Sequence, residues 1–141
     1  MRLSSELMTM MAVCVALSGC ASSTKQSPRV ELLESQLKIR SMQTRAFDTT
    51  NENMTLRAIL ATLQDFGFVI DKADEALGTI TAKRIDKYPI RITVTVRKRR
   101  TTQVLVRMNA YYGQPVREPV IYQNFFTSLA NSMFLTANPI Q

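Results

Sequence analysis

The feature that most constrains this chain is a pair of consecutive segments in which apolar and polar residues alternate. Ile90, Ile92, Val94 and Val96 are interleaved with Arg91, Thr93, Thr95 and Arg97, and Thr102 to Tyr112 repeats the pattern with Val104, Val106, Met108 and Ala110. A period of two places successive side chains on opposite faces of a strand, so each segment has one buried and one solvated face. That is the pattern of an antiparallel sheet covered on one side only. Lys98-Arg99-Arg100-Thr101, between the two runs, is expected at the hairpin tip.

A half-buried sheet needs an apolar layer against it, and two helical patterns supply one. Thr49 followed by Glu52 matches a capping box, and Leu56, Ile59, Leu60 and Leu63 then form a stripe at i, i+3, i+4 and i+7. A helix from Glu52 to Phe66 follows, stopped by Gly67. Glu118 and Pro119 open a second helix, with Ile121, Phe125, Leu129 and Met133 along one side and Tyr122, Phe126 and Phe134 broadening it. The remaining segments read as strands: Ile39 to Phe47, then Phe68-Val69-Ile70, then Gly78 to Ile85 after a polar turn from Asp71 to Leu77. The expected fold is α+β: a single β-α-β4-α domain over 39–138, with both helices on one face of an antiparallel sheet.

Ahead of this domain the sequence reads as a processing signal. Arg2 precedes an apolar stretch from Leu7 to Leu17, and small residues Ser18 and Gly19 come just before Cys20. The stretch is about eleven residues, too short for a bilayer, which takes roughly 20. Leu17-Ser18-Gly19-Cys20 resembles the lipobox of bacterial lipoproteins, in which the cysteine thiol is lipidated and the chain is cut immediately before it. The resemblance implies a signal peptide at 1–19, cleavage between Gly19 and Cys20, and lipidation at Cys20. It would also account for a lone cysteine in an exported chain. Acyl chains at roughly 0.8 kcal/mol per buried CH₂ would make a lasting membrane anchor. Ala21 and Ser22 follow where an Asp would retain such a protein in the inner membrane, which implies the outer membrane, with the domain facing the periplasm. Residues 20–38 read as a flexible tether, small and polar as far as Pro28. Val30, Leu33 and Leu37 in it recur at near-helical spacing, suiting a spacer or packing against the domain, with a short helix or a partner-binding segment as the alternative.

Composition removes most chemistry. Among 141 residues there is no His and no Trp, and the cysteines are Cys14 and Cys20 alone. A Cys/His zinc cluster, an intrachain disulfide in the mature chain and a His-based triad are therefore excluded. The carboxylates fall at helix starts and turns, and the neighbours Asp74 and Glu75 share a loop that fixes no two-carboxylate separation. The mature domain has no Ser-x-x-Lys and no glycine-rich phosphate loop. The expectation is a protein that is not an enzyme and takes no cofactor or metal.

The order of elements resembles the helix-grip arrangement of the BamC-like lipoproteins of the outer-membrane β-barrel assembly machinery, which implies a helix-grip-like domain. The local pattern is similar too, in Leu63-Gln64-Asp65-Phe66-Gly67-Phe68 and in Asp74 with Gly78-Thr79-Ile80-Thr81-Ala82. With Tyr122-Gln123-Asn124-Phe125-Phe126 and Met133-Phe134-Leu135, the chain looks still more like a family of small Gram-negative lipoproteins without an assigned activity. The likeness covers Arg40 to Thr136 and implies a fold and a compartment. It carries over no catalytic residue, and the BamC-like proteins usually hold two such domains.

The net charge of +7 directs attention to binding. Arg97-Lys98-Arg99-Arg100, flanked by Lys83, Arg84, Lys87, Arg91 and Arg107, would pair with phosphorylated lipid headgroups or an acidic partner, guanidinium groups being bidentate donors to both. The plain alternative is a solvated hairpin tip that keeps strand ends soluble. The outward strand residues Arg91, Thr93, Thr95, Arg97, Gln103, Leu105, Arg107, Asn109 and Tyr111 form a candidate docking surface. Tyr111, Tyr112, Tyr122, Phe125, Phe126 and Phe134 are expected to pack between helix and sheet. Nucleic acid would suit the charge, but an exported domain meets little of it. The expected role is a periplasmic interaction module of an envelope assembly, with a protein partner and a membrane anchor; the rival is a lipoprotein that binds a lipid or other small amphiphile.

Overall fold

The structure is a computed structural model, and it describes residues 28–85, 89–134 and the strand at 137–139. The signal, the Gly19–Cys20 cleavage point and Cys20 lie outside the described residues. The architecture below is that of the compact unit Leu32–Gln141, and the first four residues of α1 precede it.

Helix α1 is Pro28–Gln43, followed by strand β1 (Thr44–Phe47) and helix α2 (Glu52–Asp65). Strands β2 (Val69–Asp74), β3 (Thr79–Arg84), β4 (Ile90–Arg99) and β5 (Gln103–Tyr112) form a meander. The two-residue β6 (Gln114–Pro115), helix α3 (Pro119–Met133) and β7 (Ala137–Pro139) complete the order. The strands run β2-β3-β4-β5-β1-β7, with β6 on β5, and the described pairings are antiparallel. This is the expected α+β arrangement.

The alternation decides which side is the core. Ile92, Val94, Val96, Val104, Val106, Met108 and Ala110 are all buried, in one cluster with Leu56, Ile59 and Leu63 of α2 and Phe125, Phe126 and Leu129 of α3. Both helices therefore cover the same face. Each fully buried Leu, Ile or Phe contributes about 1.5–3 kcal/mol relative to exposure, so this two-helix layer supplies most of what holds the sheet. At the rim, the Arg45 guanidinium lies 5.2 Å from the Phe126 ring centroid and Arg84 stands 5.2 Å from that of Phe68.

Several local expectations are corrected. Residues 28–38 are helical rather than a flexible tether, and α1 continues through Ile39 to Gln43, which leaves β1 only Thr44–Phe47. A proline at the start, Glu31 in the first turn and Arg40 in the last suit a helix at both ends. The cap of α2 is Asn51, not Thr49: the Asn51 side chain accepts from the Met54 N–H at 2.9 Å, while Thr49 Oγ1 accepts from the Asn51 N–H. β2 extends through the expected turn to Asp74, because β3 offers it a partner as far as the Asp74–Thr79 pair. β4 also runs longer, and Arg99 pairs with Gln103, so the tip is Arg100-Thr101-Thr102. Arg100 takes the left-handed φ of 58°, uncommon outside glycine.

Candidate docking surface

The four-residue basic run does not form one cluster. Strand alternation sends Arg97 and Arg99 to the face without helices and Lys98 to the helical face, where its Nζ lies 3.4 Å from a Glu52 carboxylate oxygen. The Arg97 guanidinium donates to the Leu77 carbonyl and, at 3.1 Å, to that of Val96. It clamps the β2–β3 turn at the point where Gly78, with φ 56°, lies against the Val96 carbonyl. Arg100 stands in the turn and is exposed. Lys87, also expected near the run, lies outside the described residues.

The other expected contacts fall on the helix-free face in rows fixed by register. One row is Lys83, Arg91, Tyr111; another is Thr81, Thr93, Asn109; a third is Thr79, Thr95, Arg107, Thr44. Arg97, Leu105 and Ala46 make the fourth, and Arg99 with Gln103 the last. β3, β4 and β5 contain no Asp or Glu, so the middle of this face carries cations, neutral hydrogen-bonding groups and Leu105. Two more of the cations, besides Arg97, are held in place. Lys83 Nζ donates to Asp71 Oδ1 at 2.8 Å, a contact that lowers the Asp71 pKa from its ordinary value, the hydrogen bond and the lysine's charge leading and Arg91 adding to them. Arg107 Nη2 donates to Gln43 Oε1 at 3.4 Å.

The flank of the sheet is a poor docking site. The β2 edge is irregular between Ile70 and Lys72 and carries Asp71, Lys72 and Asp74. A bulge and charges discourage addition of a foreign strand at this edge.

Two features were not foreseen. Gln43 and Tyr122 form a polar contact through the protein, with Gln43 Nε2 donating to the Tyr122 hydroxyl at 3.4 Å. Arg84 belongs to the helical side, and the alternation of Ile80, Ala82 and Arg84 was the available signal for it. Arg84 borders an apolar cleft of about 200 Å³ between α3 and the sheet, with Phe68, Ile92, Met108, Asn124 and Phe125. The expected aromatic cluster is also divided: Tyr122, Phe125 and Phe126 are buried, whereas Tyr111, Tyr112 and Phe134 are 52%, 42% and 97% exposed. Tyr111 points to the helix-free face by alternation, Tyr112 ends β5, and Phe134 takes the left-handed cap of α3, which swings it off the packed stripe.

Among the described residues no group of three His, Cys, Asp or Glu is placed to hold a metal, and no helix is long and apolar enough to cross a membrane. No family model matches the chain, and a search of curated proteins gives no match.

Proposed function

We propose that the protein is a non-catalytic outer-membrane lipoprotein, anchored through Cys20, whose α+β domain is an interaction module of an envelope assembly. The observation that carries the reading is the asymmetry of the sheet. Both core helices cover one face, and the other carries Lys83, Arg91, Arg97, Arg99 and Tyr111, with Leu105 and Arg107 half-buried beside the buried Thr44 and Ala46 of β1, on central strands that hold no carboxylate. Such a face favours an acidic partner, with Leu105 and Tyr111 as its apolar contacts. The compartment rests on the lipobox-like Leu17-Ser18-Gly19-Cys20 and the likeness to BamC-like proteins.

A photocrosslinking residue at position 99 or 105, in cells, tests it. One recurrent envelope protein captured from both positions is the expected result; absence of any specific protein overturns the reading.

The cleft beside Arg84 favours a second reading, an amphiphile-binding lipoprotein. It is lined by Phe66, Phe68, Ile90, Met108 and Phe125, with Arg84 and Asn124 as polar groups, a composition suited to an apolar ligand with one anionic end. A co-purified ligand in a native mass spectrum, lost in Met108→Phe, would favour it over docking.

A further inference from the structure

The exposed apolar side chains are not spread evenly. Among the described residues outside α1, the large hydrophobic residues with high exposure are Met54, Phe66, Val69, Leu77, Ile85, Tyr111, Tyr112, Val120 and Phe134. Six of these nine lie at one end of the sheet. Val69 pairs with Lys83, Lys83 with Arg91, and Arg91 with Tyr111, so the start of β2 and the ends of β3 and β5 share that end. Phe66 precedes Val69 at the end of α2, Ile85 follows β3, and Val120 begins α3 after the short β6. Ile85 and Val120 are 75% and 60% exposed.

We infer that this end of the domain rests in the interfacial layer of a phospholipid bilayer. The side chains come from four separate chain reversals and are interleaved with cationic side chains, a mixture that a phospholipid headgroup layer accommodates. Their chemistry agrees. Ile85, Val69 and Val120 are apolar, Tyr111 and Tyr112 are amphipathic rings of the kind enriched at membrane interfaces, and Arg84, Arg91 and Arg117 carry long stems with guanidinium ends that pair with phosphate. Lys83 is already paired with Asp71 at 2.8 Å, and among the described residues the other carboxylates here are Asp65 and Glu118. The chain as a whole, at +7, is drawn toward an anionic surface. This contact shares Arg91 and Tyr111 with the margin of the docking face but leaves Arg97, Arg99 and Leu105 outside it, and it would set the orientation in which an anchored domain presents its sheet.

The chain has no tryptophan, so one introduced indole reports on one position. Full-length Tyr112→Trp is mixed with phosphatidylethanolamine–phosphatidylglycerol vesicles containing lipids brominated near the headgroup end of the acyl chains. The expected result is a blue-shifted emission and strong quenching, with Thr101→Trp at the opposite end of the sheet unaffected. Adding Ile85→Ser and Val120→Ser to Tyr112→Trp should weaken quenching at least about threefold, as buried apolar area is lost, with circular dichroism unchanged. An unchanged Tyr112→Trp spectrum on vesicles that carry the protein overturns the inference, as does equal quenching at both positions or a failure to bind vesicles. A specific protein crosslinked from position 112, with no quenching there, would give this end to a protein partner. None of these results bears on capture from positions 99 and 105, so the two readings fail separately.

Discussion

Gln43 and Tyr122 are 79 positions apart, and the amide of one donates to the hydroxyl of the other at 3.4 Å. That hydroxyl donates in turn to the Val116 carbonyl at 2.6 Å, and the Gln43 carbonyl oxygen accepts from Arg107. The end of α1, strand β5, the β6–α3 connection and α3 are thus tied by one line of polar groups. Tyr122 is fully buried, so its hydroxyl has no water to fall back on.

Tyr122→Phe removes that hydroxyl and leaves the Val116 carbonyl and the Gln43 amide short of a partner. The expected loss is about 1–2 kcal/mol of unfolding free energy, the cost of orphaned buried polar groups, measured by urea titration. An unchanged midpoint would mean that the line contributes nothing.

Gly78 cannot carry a side chain without movement. Its φ is 56°, and an added Cβ would stand 2.6 Å from the Val96 carbonyl oxygen, which is main chain and cannot rotate away. Its own carbonyl accepts from the Val96 N–H at 2.8 Å, so shifting the turn also loosens β4. Gly78→Ala is expected to cost about 2–4 kcal/mol, from positive φ and steric overlap together, and to lower the thermal midpoint in calorimetry.

Neighbours in the basic run should behave differently. Lys98 sits on the helical face, its side chain 74% exposed and paired with Glu52, so Lys98→Ala should change stability by no more than about 0.5 kcal/mol. It should also leave partner capture from position 105 unchanged. Arg91→Ser with Arg99→Ser removes two cations from the helix-free face and should lower that capture several-fold. Equal effects of the two changes would argue for a diffuse charge and against a defined face.

Asp71 provides a pH signature. Its pKa is depressed in the folded state, chiefly by the Lys83 hydrogen bond and charge. The unfolded chain therefore binds the proton more tightly, and the pair's stabilisation is complete above the ordinary carboxylate pKa and disappears as pH falls through the lower folded value. Lys83→Met should return the Asp71 titration, followed by carboxyl NMR, toward the ordinary range, and remove this part of the acid sensitivity. A titration that stays depressed would assign the effect to Arg91.

Part of the candidate surface was legible before any coordinates. Alternation alone puts Arg91, Arg97, Leu105 and Arg107 on one face and the valines on the other, and the register bears that out. The same rule places Lys98 with Val94 and Val96, yet four consecutive basic letters suggest a single cluster that a strand cannot form. The helix from 28 to 43 was misread because its apolar residues are few and exposed, with Leu32, Leu33 and Leu37 all more than half accessible. An amphipathic-stripe argument needs a buried stripe to find, and α1 offers none.

By itself the sequence determined the local geometry and the sidedness: period two for β4 and β5, period 3.6 for α2 and α3, a glycine where α2 must stop, and so an α+β layer with one covered face. These are consequences of backbone sterics and burial that act within a few residues. Tertiary structure alone decided that Asn51 rather than Thr49 caps α2, that Arg97 closes the Gly78 turn, that Gln43 meets Tyr122, and that six exposed apolar groups from four chain reversals gather at one end. Apart from the Asn51 cap, those pairings join positions far apart along the chain. Which groups meet depends on how the helices pack on the sheet, which no local pattern specifies.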